Sequence, residues 1–218
     1  MRLKYLMLAI SLSTVGVLNA TAAQAESVEP VTSTAVQRLS TRLAAMSSLQ
    51  GLFVQTQYDL EGELLLSSSG DFAMARPGKL AWNTLEPFPQ KLITDGETLW
   101  LYDPDLEQVS VRSLGDSLKQ TPAAIIAGDL SQIKTDFDVT QTLRGPENVF
   151  ELRPKRESEF FQLLTLSFSD GQLTTMELLD GFGQDTKFSL SAVTRNQPLA
   201  ADLFNFVAPA GTDVLINE

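Results

Sequence analysis

The side chains that carry out most enzymatic chemistry are missing from this sequence. It contains no histidine and no cysteine, which removes Ser-His-Asp triads, thiol nucleophiles and the common zinc ligands. No glycine-rich phosphate loop and no GxSxG elbow occurs. Carboxylates close in sequence remain, and three pairs are considered as candidates: Glu61 with Glu63, Asp103 with Asp105, and Asp136 with Asp138.

These carboxylate pairs admit two chemical interpretations and one structural one. Paired carboxylates could act in glycosidase-type hydrolysis, and Asp103 with Asp105 could bind Ca²⁺. All three pairs, however, adjoin predicted turns or strand starts, where Asp tolerates unusual backbone angles and solvated carboxylates are routine. The pattern therefore favours turn residues over catalysis, and it predicts no cofactor.

One arginine lies where the strand pattern calls for apolar side chains. In the stretch FAMARPGKLAW, period-two alternation predicts a strand, a turn at Pro-Gly and a second strand. Phe72, Met74 and Arg76 share one face of the first strand, and Leu80 and Trp82 share a face of the second. A dry core would penalise an arginine there. Near a cavity mouth, Arg76 could instead donate hydrogen bonds to the carbonyls at the end of a helix.

The N-terminus has the pattern of a secretory signal. Arg2 and Lys4 precede an apolar run, and AQA supplies small residues for a cleavage site after Ala25. We therefore expect residues 1–25 to be a cleaved signal peptide and residues 26–218 to form one domain in the periplasm. Because Glu26 follows the cut instead of cysteine, the mature chain offers no site for lipoprotein-type acylation.

The charge balance excludes several classes of partner. The chain has 16 basic and 27 acidic residues. Such an acidic protein repels phosphate backbones and anionic lipid surfaces, so we expect no nucleic-acid binding and no polybasic membrane docking. The absence of cysteine means that no disulfide can stabilise the fold, so the core must do so alone.

Two helices are predicted from periodicity and capping. Apolar residues recur every three or four positions over residues 32–49, which predicts an amphipathic helix along the stripe Val36, Leu39, Leu43, Met46 and Leu49. The stretch TPAAIIAGD predicts a short apolar helix over about 121–128, with Thr121 as the N-cap, Pro122 at the first turn and Gly128 as the stop.

Most of the remaining chain alternates with a period of two. From Gly51 we expect a meander of about seven strands with turns at residues 61–62, 69–70, 77–78, 95–96 and 103–105. Further strands and an Asp-Gly turn at 170–171 follow, and the C-terminus resembles a helical turn and an edge segment. Short links require antiparallel neighbours. About eleven strands and two covering helices predict a mainly β fold, an incomplete, half-open antiparallel barrel. The pattern leaves open whether its interior is filled or hollow.

The motifs in this β-rich chain resemble those of the LolA family of periplasmic lipoprotein carriers. The similarity extends over essentially all of residues 26–218. The stretches that carry it are GLFVQTQ, FAMARPGKLAWNTLEPFPQKLITDGETLWLYDPDLEQVSV, TPAAIIAGD, FELRPK, MELLDGFGQDT and LFNFVAPAGTDVL.

The resemblance implies a function without catalysis. A family member is a monomeric, non-enzymatic carrier that takes triacylated lipoproteins from the inner-membrane transporter LolCDE, shields their acyl chains in an apolar cavity and passes them to the outer-membrane receptor LolB. A helical lid matching about 121–128 covers that cavity, and an arginine matching Arg76 holds the lid shut in the empty state. Ala123 and Ala124 stand where some relatives have bulky lid aromatics, which implies weaker lid contacts. If the chain is such a carrier, we expect the acyl chains to contact the residues that share inward parity with Arg76, together with two residues of the second helix. These are Phe72, Met74, Leu80, Trp82, Ile125 and Ile126.

Two alternative interpretations belong to other functional classes. An apolar-cavity sensor or binding module for another periplasmic amphiphile could use a similar half-barrel, but the chain shows no second domain. An enzyme with a filled barrel could use the paired carboxylates described above. A LolB-like acceptor is disfavoured because no cysteine follows the predicted signal.

Overall fold

The structure is a computed structural model, and it describes residues 33–113, 126–128, 130–156 and 161–217. The predicted signal peptide, the predicted cap at Thr121 and the proposed contact residue Ile125 lie outside these ranges, as do Ala123 and Ala124. Within the ranges, no helix combines the length and the apolar character that crossing a membrane requires.

The described residues form one twelve-stranded sheet with short helices. The helical elements are α1 (Ser33–Ala44), α2 (Ser131–Asp136) and a 3-10 helix (Ala201–Phe204). The strands of the first half are β1 (Ser48–Tyr58), β2 (Leu64–Ala75), β3 (Lys79–Glu86), β4 (Gln90–Asp95), β5 (Thr98–Asp103) and β6 (Gln108–Ser113). Those of the second half are β7 (Phe137–Arg144), β8 (Glu147–Pro154), β9 (Leu163–Ser169), β10 (Gln172–Leu179), β11 (Asp185–Arg195) and β12 (Asp213–Asn217).

The strand order explains why the sheet forms a half-barrel. It runs β12-β6-β5-β4-β3-β2-β1-β11-β10-β9-β8-β7, so two meanders meet where β1 pairs with β11. Every pair is antiparallel except β12 with β6, which is parallel. The two end strands, β12 and β7, are not hydrogen-bonded neighbours, so the barrel stays incomplete. The predicted mainly β, incomplete antiparallel barrel is confirmed, with twelve strands in place of about eleven.

The first meander has six strands and not the predicted seven, because Ser69-Gly70 is not a turn. Both residues lie inside β2, at a shift of register against β3. A Cβ on Gly70 would lie 1.8 Å from the carbonyl oxygen of Asn83 and 2.9 Å from the ring of Phe53. Glycine is therefore required here for close approach of two strands and not for a reversal of the chain.

Helix α1 covers one face of the sheet, which we call the inner face. Leu39 and Leu43 are fully buried there among residues of both meanders. The predicted helix is too long at its C-terminal end: α1 stops at Ala44, and Leu49 already pairs with Met74 in the β1–β2 ladder. Met46 and Leu49 are buried as predicted, but Met46 lies in the link after α1 and Leu49 lies in β1.

The opposite, outer face carries a second apolar cluster. After β11 the chain crosses this face, and Phe204 packs against Ala73, Ala81 and Ile93. Trp100 packs against the same cluster. The crossing also explains the parallel pair, because it brings β12 alongside the far strand β6.

Candidate functional site

The inner face of β2 and β3 is an apolar wall. Phe72 pairs with Trp82 and Met74 pairs with Leu80 in the antiparallel ladder, so the four side chains lie side by side. All four are less than a tenth exposed. Their arrangement follows from the alternation of the two strands, since residues two apart point to the same face.

A small apolar cavity lies against this wall. Its volume is about 10 Å³, which is about the space of one water molecule. Ile126, from the segment after the undescribed part of the predicted second helix, forms part of its lining. Three residues that the sequence analysis did not single out also line it, Leu173, Met176 and Leu190. Against the described residues of this wall, the cavity is therefore far smaller than a hydrocarbon chain.

Aromatic packing around Trp82 fills the inner face of the sheet next to this cavity. Its ring stacks on Phe53 at a centroid distance of 4.1 Å and on Phe72 at 5.5 Å, and it meets the edge of Phe188 at 5.4 Å. Such contacts stabilise a packed interior beyond the effect of area burial alone. The side chains that would contact an acyl chain therefore contact one another here.

The sequence analysis missed the two cavity residues of β10 because a bulge breaks the alternation of that strand. Leu173 and Met176 differ by an odd number of positions, so strict period-two reasoning assigns them to opposite faces. The β9–β10 register shifts between Leu173 and Thr175, and this shift brings both apolar residues to the cavity. The only sequence signal was the apolar character of the two positions.

Arg76 stands at the end of β2, beside the apolar wall, and donates to four main-chain carbonyls. Its Nε lies 3.2 Å from the oxygens of both Leu43 and Met46, at the C-terminal end of α1. Its Nη1 donates to Gly128 O at 2.9 Å, and Nη2 donates to Ile126 O. A charged arginine thus joins α1 to the segment 126–128.

The electrostatics of this contact follow from the helix end. Carbonyls at the C-terminus of a helix lack intrahelical partners and carry partial negative charge, so they suit a cation. Burial lowers the pKa of the Arg76 guanidinium below its usual value, yet arginine remains protonated in proteins. The penalty for burying the charge is therefore offset by charge-assisted hydrogen bonds to the carbonyls.

Main-chain hydrogen bonds flank the arginine on both sides. Arg76 N donates to Ser47 O at 2.9 Å, and Gly78 N donates to Ala127 O at 2.9 Å. The β2–β3 turn therefore contacts the link after α1 and the segment 126–128 through its backbone as well as through the Arg76 side chain.

The paired carboxylates form turns and strand starts. Asp103 Oδ1 accepts hydrogen bonds from the amides of Asp105 and Leu106. Glu61 and Glu63 donate their amides to Asp59 in the same manner. In the part of the chain that the structure describes, no three acidic side chains gather in a way that could hold a metal ion.

Comparison with known proteins identifies the family to which this half-barrel belongs. The family model of the outer membrane lipoprotein carrier protein LolA matches residues 44–207. The chain belongs to the LolA family of outer-membrane lipoprotein carriers. This is a family of non-enzymatic transport proteins, and the matched residues include the wall, Arg76 and the cavity lining.

Two relatives and one solved structure illustrate the similarity. The outer-membrane lipoprotein carrier protein of Azotobacter vinelandii is 44% identical over 180 residues, which cover 83% of this chain and 87% of the relative. That of Pseudomonas paraeruginosa is 40% identical over 183 residues, covering 84% and 88%. The crystal structure of an uncharacterized conserved protein from Thermus thermophilus aligns with a TM-score of 0.55 at 12% identity, over 83% of this chain and 98% of that one, which reflects a shared fold alone.

Proposed function

We propose that the chain is a monomeric periplasmic carrier that accepts triacylated lipoproteins from the LolCDE transporter, shields their acyl chains and delivers them to the receptor LolB. Residues 1–25 would act as the cleaved signal that directs it to the periplasm. The observation that carries the proposal is an apolar wall in contact with the segment 126–128, whose carbonyls at Ile126 and Gly128 accept hydrogen bonds from the half-buried Arg76.

Acyl chains need such a carrier because their exposure to water is costly. At about 0.8 kcal/mol per methylene, one sixteen-carbon chain costs about 12 kcal/mol to expose. Three chains cost on the order of 36 kcal/mol, beyond the ceiling of about 20 kcal/mol for non-covalent affinity. A carrier therefore has to bury the chains partly and reversibly.

In the proposal, movement of the segment 126–128 supplies the reversible step. The cavity of about 10 Å³ between Ile126 and the wall is far smaller than an acyl chain, so loading has to move this segment away from the wall. Loading then breaks the Arg76 hydrogen bonds to Ile126 and Gly128, and their re-formation favours release. In this role Arg76 is the latch, and the acyl chains contact Phe72, Met74, Leu80, Trp82 and Ile126, with Ile125 as a sixth proposed contact.

Mass spectrometry of the protein purified from periplasm tests this function. A carrier is expected to co-purify with several different triacylated lipoproteins. Recovery of one small amphiphile in place of lipoproteins would favour a sensor or binding module, and recovery of neither would contradict the carrier function.

A further inference from the structure

Asn196 lies beyond the end of β11 and bonds to the link between α1 and β1. We call residues 45–48 the α1–β1 joint. Asn196 Oδ1 accepts from the amide of Ser47 at 2.8 Å and from its Oγ at 3.0 Å. Asn196 Nδ2 donates to Ala45 O at 2.9 Å, and Asn196 N donates to Ser48 O at 2.9 Å. One residue thus contacts three of the four residues of the joint.

Further contacts fix the joint to the sheet. Ser48 Oγ donates to Gln197 O at 2.7 Å, and Ser47 O accepts from the Arg76 amide at 2.9 Å. Ser48 also starts β1 and pairs with Ala75 in the ladder. The carbonyl of Met46, which accepts from the Arg76 side chain, belongs to this joint.

The other acceptors of Arg76 have a different kind of support. The segment 126–128 accepts hydrogen bonds from the Arg76 side chain and from Gly78 N. Both donors lie in the β2–β3 turn. The acceptors of Arg76 therefore divide into those at the joint that Asn196 bonds and those on the segment 126–128.

We infer that Asn196 is a positioning residue of the latch. It fixes the α1–β1 joint so that Arg76 keeps its hydrogen bonds to Leu43 and Met46 while the bonds to Ile126 and Gly128 break and re-form. A guanidinium that stays bonded to the joint loses less conformational freedom when the segment 126–128 returns to it. This inference deepens the proposed function and rests on it for its biological role, but the anchor itself can be tested without cargo.

In the empty protein, two backbone amides report separately on the α1–β1 joint and on the segment 126–128. The Arg76 amide donates to Ser47 O in the joint, and the Gly78 amide donates to Ala127 O in the segment. Hydrogen exchange followed by NMR on the full chain measures how often each bond opens. We expect the protection factor of the Arg76 amide to exceed that of the Gly78 amide by about tenfold or more. Equal protection of the two amides would mean that the joint and the segment 126–128 separate from the β2–β3 turn together. That result would overturn the inference.

Variants at position 196 separate positioning from general stability. Asn196 has a φ of 58°, so Asn196→Gly tolerates the backbone conformation and removes only the side chain. We expect it to lower the protection of the Arg76 amide about fivefold to tenfold. Asn196→Asp keeps an acceptor for Ser47 and loses the donor to Ala45, so it should restore part of the protection.

The amides of Leu164 and Leu166, two fully buried residues of β9, are the internal control. Unchanged protection there, together with a loss at the Arg76 amide, supports the inference; a uniform loss at all these amides would contradict it.

With cargo, Asn196→Gly should load normally and transfer more slowly, and a wild-type rate of transfer would contradict its role in the latch. A wild-type protein that takes up no lipoprotein would refute the proposed function, while the exchange data would still decide whether Asn196 anchors the joint.

Discussion

At the scale of single residues, the proposed latch depends on Arg76. Its charge-assisted hydrogen bonds to Ile126 and Gly128 contribute roughly 1.5–3 kcal/mol each to the closed state. Arg76→Leu should therefore favour the open state. The variant should still accept lipoprotein, because the apolar wall is unchanged, but it should transfer cargo to immobilised LolB more slowly than wild type.

Arg153→Leu is a matched control for this substitution. Arg153 forms an exposed pair with Glu151 on β8 at 3.1 Å, and such pairs contribute little to stability. The control should load, transfer and melt like wild type. An Arg76→Leu protein that melts normally and transfers at the wild-type rate would contradict the latch. One that melts early and fails to load would instead indicate that Arg76 only caps the strand end.

Leu80 tests the apolar wall at the same scale. Leu80 is 2% exposed on the inner face of β3, whereas Leu85 on the same strand is 55% exposed. Leu80→Glu places a carboxylate against hydrocarbon, where it must be desolvated or protonated, so the variant should keep much less lipoprotein in solution. Leu85→Glu should behave like wild type in the same sedimentation assay. A folded Leu80→Glu protein that carries cargo normally would exclude this wall as the acyl-chain site.

At the scale of elements, the close approach of β2 and β3 depends on Gly70. Gly70→Ala places a Cβ 1.8 Å from the Asn83 carbonyl oxygen, so the strands must shift. We expect the free energy of unfolding to fall by about 2 kcal/mol or more, measured by denaturant titration. Ser67→Ala, at an exposed position of the same strand, should change it by less than about 0.5 kcal/mol. Equal effects of the two substitutions would contradict the steric role of Gly70.

The same elements show how far sequence predicts structure. Alternation placed Phe72, Met74, Leu80 and Trp82 together because a strand exposes alternate residues to one face. Alternation failed at Gly70, because glycine is used both in turns and where two strands approach closely. It failed again at Leu173 and Met176, where a bulge changes the parity.

Distant contacts were the other feature that local patterns could not predict. Trp100 lies on the outer face, opposite Ile93, where the chain after β11 crosses to reach β6. Asn196 contacts residues about 150 positions earlier in the chain, and nothing in its own neighbourhood indicates a partner. The resemblance to the LolA family supplied the role of Arg76, whereas its four carbonyl partners required the structure.

At the scale of the whole molecule, the proposed function requires the interior to open before it binds a ligand. An apolar fluorescent dye such as N-phenylnaphthylamine should bind wild type weakly but saturably, because only the open fraction is competent. Arg76→Leu should bind it about tenfold more tightly or more, as the open fraction rises, and lipoprotein should displace the dye from both proteins. The absence of saturable binding in both proteins would contradict an interior that opens.

The most direct measurement of the central claim is a reconstituted transfer followed by native mass spectrometry. The purified carrier is incubated with proteoliposomes that contain LolCDE, ATP and a triacylated lipoprotein, and LolB is then added. We predict a soluble complex of one carrier with one lipoprotein, formed with the acylated protein and not with its unacylated form, and lost to LolB on addition. Lipoprotein that stays in the proteoliposomes, or equal binding of the unacylated form, would contradict the claim that this half-barrel carries lipoproteins by their acyl chains.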